Sequence, residues 1–247
     1  MSKVSLLLLA LIFVINANAA VTVTVNTDTR RYDTNPRISE VLQPYALQQP
    51  WYWPAATLYR TDSNKPEQLR QRVLQLLNTL GQQTSDLGLR ETYASLGTEL
   101  LSWQLAERVV LAIDYDAARV KPELNPRLDD GEYLLQLKLR PEQVYLTGGI
   151  AQFGAVPHKA GAPVKEYLAS AKLLNGADSS QLAVVQTNGQ VQIAGVSYWN
   201  LEQIEAMPGA QLLVLFAPPL LDRLTADSNI TQLNTLLQQL AVYRILP

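Results

Sequence analysis

The apolar period of this chain changes twice, and that pattern limits the fold more than any single motif. Val21-Thr22-Val23-Thr24-Val25 alternates strictly and is β-branched throughout, which marks a half-buried strand. From Asn64 to Leu80 the period lengthens: Leu69, Val73, Leu76, Leu77 and Leu80 recur at helical spacing. Asn64 and Glu67 predict a capping box, and Gly81 predicts the helix end. Leu89, Tyr93, Leu96, Leu100 and Trp103 form a second stripe, with Ser85 or Asp86 at its start. The short polar link Gln82 to Ser85 predicts an antiparallel hairpin. Each stripe is wide enough to face its partner and something else besides. Strand character returns over Arg108 to Ile113 and Tyr133 to Leu139. The expected class is therefore α+β, with a helical hairpin at 64–104 set inside a small sheet domain.

A second unit follows. Val144 to Thr147 reads as a strand, Gly148-Gly149 as a turn, and Pro163 to Leu174 as a helix with Tyr167, Leu168, Ala171 and Leu174 inward. Leu182 to Thr187 and Val191 to Ile193 flank Asn188-Gly189, which predicts a type I′ hairpin. Pro208-Gly209 is a turn before the apolar strand Leu212 to Phe216. One helix on a mixed sheet of four or five strands is β-grasp-like. Ser228 to Arg244 is a last amphipathic helix, with Ile230, Leu233, Leu236, Leu237, Leu240 and Tyr243 on one face. It is too short to cross a bilayer core of about 30 Å.

Lys3, the apolar run Val4 to Ile15 and the small-x-small site Ala17-Asn18-Ala19 make residues 1–19 a secretory signal peptide. No cysteine follows to carry a lipid, so the mature protein is expected to be soluble and periplasmic, with no transmembrane helix. The expected divisions are a first domain at 20–140, a second at 141–217 and a C-terminal segment at 218–247. The absence of cysteine excludes a thiol nucleophile, a disulfide framework and a thiolate metal site. A single histidine excludes a site needing two imidazoles. A formal net charge of −2 argues against a nucleic-acid partner.

Catalytic constellations are scarce. His158 lies in a turn-rich stretch beside Lys159 and reads as a solvated loop residue. Asp114 and Asp116, two apart on an expected strand, would share a face and could form a carboxylate pair. They would not stand on opposing walls, as a glycosidase pair must. Asp129-Asp130-Gly131 reads as a turn, and Gly148-Gly149-x4-Gly154 fits neither a dinucleotide nor a P-loop signature. No cofactor and no metal are implied. Arg108 stands out because it follows the second helix and opens a strand, where insert and sheets must meet. Its guanidinium could tie backbone carbonyls together or hold an anion.

A set of short motifs in order resembles the GfcC (YjbG-like) family of periplasmic capsule and exopolysaccharide biosynthesis proteins. They are Trp53-Pro54, Arg108 with Asp114-x-Asp116-x-x-Arg119-Val120, Asn125-Pro126, and Gly131-x-Tyr133-x-Leu135. Tyr198-Trp199-Asn200, Pro208-Gly209 and the tail from Leu233-Asn234 through Arg244 to Pro247 complete the set. The resemblance implies tandem β-grasp (ubiquitin-like) domains, a helical hairpin inserted in the first, and a C-terminal amphipathic helix docked on the second. It implies likeness to the periplasmic ring domains of the Wza-type export channel, and a pocket between the parts lined by Arg108. The chain departs from the family pattern at Ala106-Glu107, in place of Thr-Gly, and at Ala55, in place of glycine.

The implied function is a non-enzymatic accessory role in assembly or export of a surface polysaccharide, with the polymer or the outer-membrane export machinery as partner. Trp51, Tyr52, Trp53, Tyr198 and Trp199 are then candidate glycan or partner contacts, since aromatic faces stack on sugars, although packing at a core edge suits each of them too. Two alternatives stand beside this reading: a polysaccharide-modifying enzyme using Asp114 and Asp116, or an interaction module for an outer-membrane pore whose C-terminal helix can detach.

Overall fold

The structure, a computed structural model, describes residues 21–169, 171–218 and 228–247. The expected signal peptide at 1–19 lies outside the described residues. The chain folds as a mixed α+β protein around two five-stranded sheets. The first sheet contains β1 (Val21–Val25), β2 (Asp28–Tyr32), β3 (Thr57–Arg60), β4 (Glu107–Val109) and β5 (Gly131–Gln136), in spatial order β2-β1-β5-β3-β4. The second contains β6 (Gln143–Gly148), β7 (Gly154–Pro157), β8 (Ala177–Val185), β9 (Val191–Gly195) and β10 (Gln211–Phe216), in order β7-β6-β10-β8-β9. The two orders are the same when each sheet's strands are numbered from its own first. In both, the first and last strands pair parallel at the centre and the other pairs are antiparallel.

The alternation at β1 behaves as expected, with its valines buried and its threonines half-buried. The partner strand β2 has no apolar alternation to announce it. Its sequence Asp-Thr-Arg-Arg-Tyr lies at the sheet edge, where charged side chains keep further strands away. A five-residue helix, α1 (Ile38–Leu42), buries Ile38, Val41 and Leu42 against this sheet. It is too short to show a period.

The predicted hairpin is present as α2 (Lys65–Gln83) and α3 (Leu87–Leu101). Asp86 caps α3 by accepting from Gly88 N at 2.8 Å and Leu89 N at 3.2 Å. Two details of α2 differ from expectation. The helix runs through Gly81 to a cap at Thr84, and no capping box forms: Asn64 has helical backbone angles and makes no side-chain cap bond, and Glu67 bonds to Arg70 and Gln71. The hairpin connects β3 to β4, yet it covers the other sheet. Leu69, Val73, Leu77, Tyr93, Leu96 and Leu100 share one core with Ala183, Val185, Leu213, Leu215 and Phe216.

The same core takes in α6 (Asn229–Tyr243), whose Leu233, Leu237 and Leu240 are fully buried. Its Asn234 side chain acts as a short strand: Oδ1 accepts from Phe216 N at 2.9 Å, and Nδ2 donates to Phe216 O at 2.8 Å. The remaining face of the second sheet packs on α5 (Lys165–Leu168). The expected helix over 163–174 is thus a single turn. The chain leaves it to pair across: Ala151 N donates to Lys172 O and Leu174 N to Gly149 O, so these backbone groups are bonded outside any helix. The 186–190 turn also differs. Gln186 N donates to Gln190 O, Gly189 N donates to Gln186 O, and Gly189 alone has positive φ, at 87°. This is a three-residue loop with a glycine bulge in place of a type I′ turn.

Candidate functional site

The last residues of the chain leave α6 and cross to the first sheet. Ala106 N donates to Tyr243 O at 3.0 Å and Ile245 N to Gln104 O at 2.9 Å, so the tail pairs with the segment leading into β4. Tyr59 Oη donates to Arg244 O at 3.0 Å and Gln136 Nε2 to Leu246 O at 3.3 Å. The tail thereby closes one side of a cleft between the two sheets.

Arg108 sits in that cleft. Nη2 donates to Thr187 O at 2.7 Å, in the glycine-bulge loop of the second sheet. Nη1 reaches Tyr59 Oη at 3.4 Å, and the guanidinium lies over the Tyr59 ring at 5.2 Å. The loop geometry matters here, because it is the Thr187 carbonyl that Arg108 meets. Thr187 Oγ1 in turn donates to Pro54 O at 2.7 Å, a second tie between the sheets. The Arg108 Nε–H is buried without a partner.

Sequence reasoning missed two further cations in the lining. Lys138 Nζ donates to Leu246 O at 2.8 Å and Pro247 O at 2.7 Å. Burial, and secondly the charge of Arg108, push its ammonium down to about 8. A lysine beyond a strand end ordinarily reads as solvated; its burial here depends on residues far along the chain. Arg244 stacks on Trp103 at 4.4 Å, and its Nη1 is buried and unpartnered. Burial lowers its pKa, against the opposing pull of Glu99. Glu99, on α3, is itself 2% exposed. It takes the Thr147 hydroxyl at Oε1 and Gly148 N at Oε2, and burial raises its pKa.

The expected aromatic contacts separate into two groups. Trp51 and Trp53 pack at the margin of the first sheet's core, and Trp51 Nε1 donates to Tyr45 O at 2.9 Å. Tyr52 is half-buried under the Arg140 guanidinium. Tyr198 and Trp199, in contrast, are 94% and 77% exposed. They stand on a turn pinned by Asn200, whose Oδ1 accepts from Ser197 N and whose Nδ2 donates to Ser180 O. Neither lies in the lining of the Arg108 cleft.

The carboxylate pair is not on a strand. Strand β4 stops at Val109, and Asp114 caps α4 (Tyr115–Val120), with Oδ1 accepting from Ala117 N at 3.0 Å. Asp116 follows in the first turn, and residues two apart on a helix do not face one another. An aspartate ahead of Ala117-Ala118 was the available sign of this cap. His158 is half-buried, and its Nε2 is 3.0 Å from Ala206 O. Among the described residues no group of three or more acidic or histidine side chains could hold a metal ion, and no helix is long and apolar enough to cross a membrane.

Comparison with known proteins gives the context. The capsule biosynthesis GfcC N-terminal model matches residues 17–140, and the GfcC C-terminal model matches 152–241. The uncharacterized protein YjbG of Escherichia coli is 31% identical over 191 residues, which is 76% of this chain and 77% of that protein. With both family models matched across most of its length, the chain belongs to the GfcC family of capsule biosynthesis proteins.

Proposed function

We propose that the chain works in the periplasm as a non-enzymatic accessory factor in assembly or export of a surface polysaccharide. The paired family match carries this reading. The leader pattern at Lys3, Val4 to Ile15 and Ala17 to Ala19 supports export. The capping role of Asp114 supports a non-enzymatic protein, because its carboxylate is already engaged by a backbone N–H. We further propose that each sheet with its short helices is a β-grasp unit. The repeated strand order and the parallel central pair support that. The units would run over 20–140 and 141–217, with 218–247 as the segment that fastens them.

Deleting the gene tests the function. Surface polysaccharide should disappear while intracellular precursor persists, and the wild-type gene should restore it. A doubly substituted Asp114→Asn, Asp116→Asn gene should restore it equally. Shortening of the purified polymer by the wild-type protein, and not by that variant, would replace this reading with an enzymatic one. Cell fractionation and N-terminal sequencing test the location, with a mature terminus at Ala20 expected.

A further inference from the structure

Three of the four edge strands of the two sheets carry devices that keep other strands away, and the fourth carries none. β2 has Asp28, Arg30 and Arg31, β4 has Glu107 and Arg108, and β7 ends in Pro157, which has no N–H to offer. β9, at the remaining edge, reads Val-Gln-Ile-Ala-Gly, and no charged residue occurs from Ser179 to Leu201.

The backbone at this edge is open. Val196 N donates to Ser180 O and Gln186 N to Gln190 O. Gln192 and Ala194 therefore face β8, while Val191, Ile193 and Gly195 present their N–H and C=O groups outward. The Gly195 pair is closed: Gly195 N donates to Glu202 Oε2 at 3.0 Å, and Gly195 O accepts from Glu202 N at 3.0 Å. The outward groups of Val191 and Ile193 have no partner among the described residues. Glu202 thus makes the first rung of a further strand and leaves the next ones unfilled.

The side chains agree with the backbone. Val191 and Ile193 stand beside Val185 and Ala183, on the face that the helical hairpin covers. That cover does not reach β9, so the two are 37% and 42% exposed. Gln192 occupies the other face. Next to the closed rung is the turn that carries the exposed Tyr198 and Trp199. A sugar has no ladder of donors and acceptors at strand spacing, and a charged partner finds no counter-charge on this edge. An extended uncharged peptide fits both conditions: its backbone fills the open rungs, and its alternate side chains lie against Val191 and Ile193.

We propose that β9 is a docking edge for an extended, uncharged segment of a partner protein with apolar residues at alternate positions. The segment adds as a further antiparallel strand, with Tyr198 and Trp199 flanking its end. This assignment goes beyond the polysaccharide role proposed above and does not depend on it.

The full mature chain should be mixed with the capped peptide acetyl-Gln-Val-Thr-Val-Thr-Val-Gln-amide, following amide hydrogen exchange at Val191 and Ile193. The peptide should slow exchange at both. The same peptide with its valine nitrogens methylated should not, and neither should maltohexaose, a neutral glycan. Val191→Pro removes an outward N–H and no bond within the sheet, so it should keep the wild-type melting temperature while weakening peptide binding about tenfold. Where that variant fails to fold, Ile193→Lys, at an exposed position, should weaken binding by a similar factor. No protection by the peptide, equal protection by its methylated form, or undiminished binding by a folded variant would overturn the proposal. Protection by maltohexaose in place of the peptide would overturn it in favour of a glycan. Concentration-dependent protection without any peptide, with a dimer seen in sedimentation, would overturn it in favour of a second copy of this chain.

Discussion

Arg108 joins two sheets through one carbonyl, and that bond has a measurable cost of removal. Arg108→Ala leaves the Thr187 oxygen without its donor and uncovers the Tyr59 ring. Loss of about 1–3 kcal/mol in chemical denaturation is expected, beyond that of a substitution at a solvated site; unchanged stability would mean the bond is idle. Lys138 gives a pH signature. Its ammonium titrates near 8 in the folded chain and at its ordinary 10.5 when unfolded. Between those values the unfolded state binds more protons, so stability should rise with pH over this window; below it both states are charged and the cost of burial is fully present. Lys138→Met should flatten that rise in denaturation curves taken from pH 7.5 to 10. Arg108 was legible in the sequence because its neighbours place it at a junction. Lys138 was not, because what buries it is the backbone of Leu246 and Pro247. Asp114 was misassigned for a local reason: a short apolar run from Arg108 to Ile113 fits a strand, and only Asp-x-x-Ala-Ala hints that the chain turns into a helix.

Long amphipathic elements were readable and short ones were not. α2, α3 and α6 each carry enough repeats of the helical period to be placed from their stripes. α1 and α5, at 5 and 4 residues, have less than two turns each. Their formation follows from the sheets they cover. What the stripes left open was their target, since the hairpin belongs in sequence to one sheet and packs on the other. The docking of α6 bears on the idea that it detaches to reach an export channel. Burying Leu233, Leu237 and Leu240 stabilises the docked form by about 1.5–3 kcal/mol each. Leu237→Asp places a charge under this stripe and should cost several kcal/mol, read as a large fall in melting temperature. Wild-type melting would mean the helix is already free. Recovery of an export-channel partner that does not change when residues 226–247 are removed would exclude the helix from that contact.

At the scale of the whole molecule, the hairpin stands where the second sheet has only its 186–190 loop, between the third and fourth strands of its unit. Lengthening a loop adds closure entropy only logarithmically, so a long insertion there is thermodynamically tolerable when it finds a surface to bury. Glu99 fastens that insertion to the second sheet. Its buried carboxyl titrates above the ordinary 4.5 of the unfolded chain. The folded state therefore holds the proton longer, and stability should fall as pH climbs from 4.5 through the folded value. Glu99→Gln, which keeps an acceptor for Gly148 N and offers a donor to Thr147, should remove that fall and melt higher than wild type at neutral pH. An identical pH profile for the two proteins would show that burial does not shift the titration of the Glu99 carboxyl.

The exchange of cover between the sheets has one more outcome. Residues 21–140 made alone would display a bare leucine-rich helical surface, and residues 141–247 would keep α6 beside Leu213, Leu215 and Phe216 but lose the hairpin that completes their core. Neither fragment is a self-sufficient product, yet each is the other's missing lid. Two polypeptides cut near residue 140 and synthesised together should find each other and rebuild the intact protein, read as co-purification of the halves with a single melting transition.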